Sequence, residues 1–159
     1  MVKAGLVLLF ALWVPIAFAG EAPDWHMKPE ASSIAWEATQ NNSPVKGGFK
    51  AFDAQIRFHP DALGNSHAKV TVDTGSIFTD YSEAQSTLKT ADWFNIDAFP
   101  KAVFETKSFT ALPEKNRFRA KATLTIKDKS VPITLDFLLH HMHDTEAHII
   151  GETTIKRTD

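Results

Sequence analysis

Between Arg117 and Leu139, apolar and polar residues alternate through two runs separated by one short break. Phe118, Ala120, Ala122, Leu124 and Ile126 fall on one face, and Arg117, Arg119, Lys121, Thr123, Thr125 and Lys127 on the other. Asp128-Lys129-Ser130 reads as a turn, after which Val131, Ile133, Leu135, Phe137 and Leu139 resume the pattern. A period of two sends alternate side chains to opposite faces of a strand. The stretch is therefore a hairpin with one dry and one wet face, and the dry face must be covered.

The same period recurs along the chain. Ile34, Trp36 and Ala38 alternate against Ser33, Ala35 and Glu37, and Asn41-Asn42-Ser43-Pro44 follows as a turn. Val45 to Phe58 reads as one strand with Phe52, Ala54, Ile56 and Phe58 inward, and its Gly47-Gly48 pair marks a bulge or a sharp bend. Ala68, Val70 and Val72 form a further strand. Ala102, Phe104 and Thr106 form another, beginning after Pro100, whose ring turns the preceding residue away from helix. The last strand runs over about 147–157, with Ile149, Gly151, Thr153 and Ile155 on one side. Residues 79–91 differ: Asp80 is placed to cap a helix with Glu83 three residues on, and Ala84, Leu88 and Ala91 fall near one face. The polar lead-in from Glu21 to Glu30 carries Trp25, which is expected to pack on the domain. About seven strands joined mostly by short turns argue for an antiparallel sheet. With one short helical excursion to cover it, the sheet is expected to curl into a barrel; a two-sheet sandwich would show the same alternation.

Residues 1–19 read as a cleavable secretory signal. Lys3 supplies the positive start, Leu6 to Phe18 the apolar run, and Ala17-Phe18-Ala19 an A-x-A site before Gly20. The apolar run is shorter than the ~20 residues of a spanning helix, and an uncleaved anchor is the alternative. The mature domain is then 20–159, expected in the periplasm. It has no cysteine, so its stability rests on its core and thiol chemistry is excluded. A net charge of −2 without a basic run argues against a nucleic-acid partner.

No catalytic set emerges, since G-x-S-x-G, a Walker loop and a dinucleotide fingerprint are all missing. The expectation is a binding protein, not an enzyme. His140, His141, His143 and His148 form the one cluster with a metal-ligating flavour. They span a strand end and a turn without helical spacing, so no metal site is expected, and His140 and His143 are only weak candidates. Ala120 and Ala122, with Ala38, Ala54, Ala68, Ala102 and Gly151 at inward positions elsewhere, lie beside Trp36, Phe52, Phe58, Phe104 and Phe137. Small beside large leaves room for one slim ligand in a barrel of this size. Alternatively, the two sizes simply interlock to fill a tapered barrel.

Several runs carry a family resemblance: Leu88…Ala91-Asp92-Trp93-Phe94…Phe99-Pro100-Lys101-Ala102-Val103-Phe104, Val45-Lys46-Gly47-Gly48-Phe49 with Phe52 and Ile56, and Val72-Asp73-Thr74-Gly75-Ser76-Ile77. Leu124-Thr125-Ile126-Lys127, Val131-Pro132-Ile133-Thr134-Leu135 and the segment Gly151 to Asp159 continue it in order. Together they resemble the YceI family of secreted lipid-binding proteins. The resemblance implies a mostly β, antiparallel, lipocalin-like barrel of eight strands around a long apolar channel. It implies a polyisoprenoid ligand, either a polyprenyl chain or an isoprenoid quinone tail, and requires no cofactor. The channel would draw on Ile34, Trp36, Phe52, Ile56, Phe58, Val70 and Val72. It would continue through Trp93, Phe94, Phe99 and Phe104 to Phe118, Ala120, Ala122, Leu124, Ile133, Leu135 and Phe137.

Candidates for the head group are Asp80, Tyr81, Gln85, Asp92 and Asn95. Trp93 and Phe94 read equally as a plug packing the helix onto one barrel end, and Asp92 as a turn cap. Two departures from the family stand out. The helical region reads Tyr81-Ser82-Glu83-Ala84-Gln85-Ser86-Thr87 where members often carry a basic-acidic-histidine pattern, and the chain stops at Asp159 where members usually add a final strand. Expected partners are an isoprenoid lipid and a membrane cytochrome or lipid-handling system, with the chain itself a monomer or dimer. Beside a carrier, two readings stay open: an accessory handling quinone for a membrane cytochrome, and a small lipid-active hydrolase or isomerase.

Overall fold

The structure, a computed structural model, describes residues 20–156, so the expected signal over 1–19 lies outside the described residues. The strands are β1 (Asp24–His26), β2 (Ile34–Gln40), β3 (Ser43–Phe49), β4 (Phe52–Arg57), β5 (His67–Asp73), β6 (Ile77–Thr79), β7 (Lys101–Ala111), β8 (Arg117–Ile126), β9 (Lys129–His143) and β10 (Glu146–Glu152). Among the described residues one α-helix, α1 (Ser82–Lys89), follows β6.

All pairings are antiparallel. A seven-stranded sheet runs β1-β4-β5-β7-β8-β9-β10, and a three-stranded sheet runs β2-β3-β6. The two are one surface bent at a corner. β3 passes into β4 through Lys50-Ala51, and β5 into β6 through the 3-10 turn Thr74–Ser76. Lys50 N donates to Ser76 O (3.2 Å) and Asp73 N to Ala51 O (2.9 Å), so the pairing continues around the bend. With β1 and β2 also in line along this ribbon, the ten segments make seven physical strands, each beside its neighbour in sequence. This is the expected up-and-down meander, curled into a half-barrel.

The corner corrects the reading of Val45 to Phe58 as a single strand. Phe49 and Phe52 are both half-buried although they differ in parity, because the bend at Lys50-Ala51 resets the alternation. Thr74, 1% exposed, fixes the corner to the next segment: its N–H donates to Pro100 O (3.0 Å) and its hydroxyl to Phe99 O (2.8 Å). The helix is shorter than 79–91, and its N-cap is Tyr81 without a side-chain bond. Asp80 instead accepts from the Thr79 hydroxyl at 3.2 Å. The β8–β9 turn is Lys127-Asp128, one step earlier than expected, with Lys127 at φ 58°. The last strand ends at Glu152.

Opposite charges sit directly across the ladder at several places, two of them with arginine–carboxylate hydrogen bonds. Arg119 on β8 faces Asp136 on β9 through two hydrogen bonds of 2.7 Å, and Arg57 faces Asp24 at 2.9 and 3.2 Å. Hydrogen bonds from Arg119, only partly opposed by desolvation and assisted by its charge, hold the Asp136 carboxyl below its usual range; Arg57 does the same for Asp24. A carboxyl depressed on folding contributes stability that is complete above its unfolded pKa and lost as pH falls through the folded one. Exposed pairs contribute little. Urea midpoints should therefore begin to fall as pH drops through the ordinary carboxylate range and go on falling below it, and Asp136→Asn should flatten that decline slightly. An unchanged slope in the variant would remove the pair from the account.

Candidate functional site

The interior is filled unevenly from one end to the other. At one end Phe58, Phe118, Ala120, Phe137 and Leu139 form a buried cluster, with Trp25, Ile56, Leu63, Phe109, Leu135, Met142 and Ala147 packed against it. The Phe58 ring lies 5.4–5.6 Å from Phe109, Phe118 and Phe137, mostly edge-on, a geometry that favours aromatic contact. Trp25 closes this end by donating from Nε1 to Phe58 O at 2.9 Å.

Farther along the same strands the inward residues are only half-buried. Phe52 pairs with Val72, Val70 with Phe104 and Phe104 with Leu124, yet none of the five reaches core burial. Ile34, Trp36 and Ile133 are half-buried as well. Ala102 and Ala122, by contrast, are buried, small floors between larger walls.

The segment after α1 caps the far end. Phe94 meets Phe49 edge-on at 5.8 Å, and Lys127 Nζ donates to Ala91 O at 2.9 Å, tying the cap to the β8–β9 turn. Phe99 and Trp93 are half-buried in this cap, which supports the plug reading of Trp93-Phe94 without removing them from the lining.

Among the described residues, no ladder joins β10 to β1 or β2. Lys28 and Glu146 bridge that seam with an exposed ion pair of 3.3 Å. Two hollows are open grooves. One, of about 510 Å³, lies between Val131–Thr134 and Thr153–Ile155, where Thr153 donates its hydroxyl to Thr134 O. The other, of about 680 Å³, runs beside β1 and β4 and takes in Trp25, Ala54 and Ile56. Neither groove is the long enclosed channel implied by the resemblance, and each reaches one of that channel's expected lining residues, Ile133 or Ile56.

Gly47-Gly48 is neither a bulge nor the bend, since β2 and β3 pair through it without a register shift. A Cβ on Gly47 would lie 2.8 Å from Trp36 Cε2, and one on Gly48 2.9 Å from Phe78 Cζ. The two bare residues thus let an aromatic ring lie against each face of the ribbon. Trp36 Nε1 is buried there with no hydrogen-bond partner. A buried donor left so is costly.

Of the expected head-group residues, Asp80, Tyr81 and Asp92 are exposed, while Gln85 and Asn95 are half-buried. The Tyr81 hydroxyl donates to Glu83 at 2.8 Å, which together with the Glu83 charge raises its pKa. Asn95 is a turn residue at φ 48°, its carbonyl accepting from Ala98 and Phe99. Phe49, Phe109 and Met142 join the interior although sequence reasoning did not select them; the first could have been found from its pairing position opposite Ile34. The histidines differ from expectation too. His140, His141 and His148, not His140 and His143, gather their ring nitrogens within 4.8 Å.

Comparison with known proteins agrees with this architecture. A UPF0312 protein of Vibrio cholerae is 25% identical over 140 residues, covering 86% of this chain and 73% of that protein. The crystal structure of Burkholderia cenocepacia BcnA superposes with a TM-score of 0.68 at 25% identity, over 73% of this chain and 72% of that one. The Campylobacter jejuni YceI protein gives 0.57 at 24% identity, over 74% and 68%, a likeness of fold. The YceI-like domain matches residues 25–159, from β1 to the end of the chain. The chain belongs to the YceI-like family.

Proposed function

We propose that the half-filled part of the barrel holds one slim apolar ligand, a polyisoprenoid such as a polyprenyl chain or an isoprenoid quinone tail, for transport, storage or sequestration in the periplasm. YceI-like proteins are binding proteins, and polyisoprenoid binding is their general kind of function. The observation that carries the reading is the contrast along the barrel: four phenylalanines packed solid at one end, half-exposed aliphatic and aromatic walls over alanine floors at the other. A methyl-branched hydrocarbon suits such walls, and burial is worth ~0.8 kcal/mol per CH2, so a few isoprene units outweigh any single polar contact before ordering costs are counted.

The orphan Trp36 N–H supports a second reading. It would select a ligand with an acceptor near its head, and a quinone carbonyl is such an acceptor, in keeping with an accessory that handles quinone for a membrane cytochrome. Mass spectrometry of the organic extract from detergent-free native protein separates the readings by head group. About one isoprenoid per chain supports the carrier; empty protein that also refuses added polyprenyl lipid overturns it. Trp36→Phe keeps an aromatic ring and removes the donor. Binding of an isoprenoid quinone should weaken about 2–12-fold, the range of one net hydrogen bond, while a head-less polyprene should bind unchanged. Equal loss for both ligands would mean that the indole only packs.

A further inference from the structure

We propose that the β9–β10 hairpin carries a metal site, His140, His141 and His148, that binds one borderline divalent ion, Zn2+ or Cu2+, through three imidazoles. The site depends on a β-bulge. His141 pairs with His148, but the next pair is Leu139 with Ile149, so His140 is the extra residue on β9. A bulge places two successive residues opposite one on the partner strand. Leu139 and Met142 accordingly both point to the core cluster, and the two histidines between them share the outer face with His148. Without the bulge, consecutive histidines would point to opposite faces.

The resulting geometry is close to a ligand set. Ring centroids form a nearly equilateral triangle of 5.6, 5.5 and 5.5 Å. The Nδ1 atoms of His140 and His141 are 3.4 Å apart, and all three ligating nitrogens fit within 4.8 Å. Zinc–nitrogen bonds of about 2.0–2.1 Å in a tetrahedron put ligand nitrogens about 3.3 Å apart, so one pair is already spaced and the third needs a small ring rotation. His141 also has a supporting partner: its Nε2 lies 3.8 Å from Glu146 Oε1, on the ring edge away from His140. A carboxylate on the far nitrogen orients a metal-bound imidazole and raises its basicity. Three imidazoles leave a coordination position open, and imidazole suits both zinc and copper, copper the more tightly. The bound ion would clip the edge strand β10 to β9.

The test uses the untagged chain. Zinc titration by calorimetry should give one ion per chain at micromolar affinity. His140→Ala, His141→Ala and His148→Ala should each weaken it at least ~10-fold. His143→Ala, whose ring lies beside His141 at 5.8 Å but outside the triad, should change it less than ~3-fold. Electron paramagnetic resonance of Cu2+ on the parent chain counts nitrogens independently of any variant, and three are expected. Two or fewer nitrogens, unsaturable binding of several ions, or an equal loss in His143→Ala would overturn the site and leave adventitious surface histidines.

Discussion

Phe137→Ala is expected to lower the free energy of unfolding by about 3–5 kcal/mol, read as a drop in urea midpoint without a large change in slope. Phe137 is 5% exposed, and its ring contacts Phe58 at 5.6 Å, Phe118 at 5.6 Å and Phe109 at 6.0 Å. Its backbone end also closes on β10, where Gly151 leaves space that a Cβ would take up at 3.1 Å from Phe137 Cβ. Removing the ring opens a void among rings anchored on three other strands or their ends, so little of it can collapse. Phe104→Ala removes the same atoms from the half-buried region. There the ring already borders open space, and the loss should be about half as large. Equal losses at both positions would sink the claim that the barrel is filled at one end only.

Gly47→Ala should be the second costly change, about 3 kcal/mol, in the upper part of the overpacking range. The added methyl would press on the Trp36 indole and on the Phe78 carbonyl, one a large ring and the other backbone. Neither yields easily, and relief requires β2 or β6 to move off β3. Because Trp36 is displaced in the process, tryptophan emission of the folded protein should shift as well. A stable variant with parental emission would show that the ribbon has slack where the geometry shows none.

The alternation made most of the fold legible: β8, β9 and the inward series of β4 and β5 stand where the period of two puts them. What it could not convey are the places where parity changes. On β7 the register slips between Thr106 and Ser108, so Phe109 joins the core although Ala102, Phe104 and Thr106 set the even positions inward. On β9 the slip at His140 brings Met142 inward and the histidines together. A bulge is one extra residue held by pairing with a distant strand, and nothing local in Thr106-Lys107-Ser108 or His140-His141 announces it. The helix cap failed for a related reason: Asp80 finds the Thr79 hydroxyl next door, while Thr79 itself is tied to Lys46 O on β3. The site was legible as a set of walls but not as a shape, since whether alanine floors leave room depends on how far the sheet closes.

The shared corner at Lys50-Ala51 and Thr74–Ser76 bears on how the protein comes apart. β3 and β4, like β5 and β6, give one half of a strand to each sheet, and the bonds across the bend run without a break. Neither sheet owns its members outright. Melting one strips partners from the other, so the molecule should behave as a single cooperative unit, with Trp25 on one side of the bend and Trp36 on the other reporting the same transition.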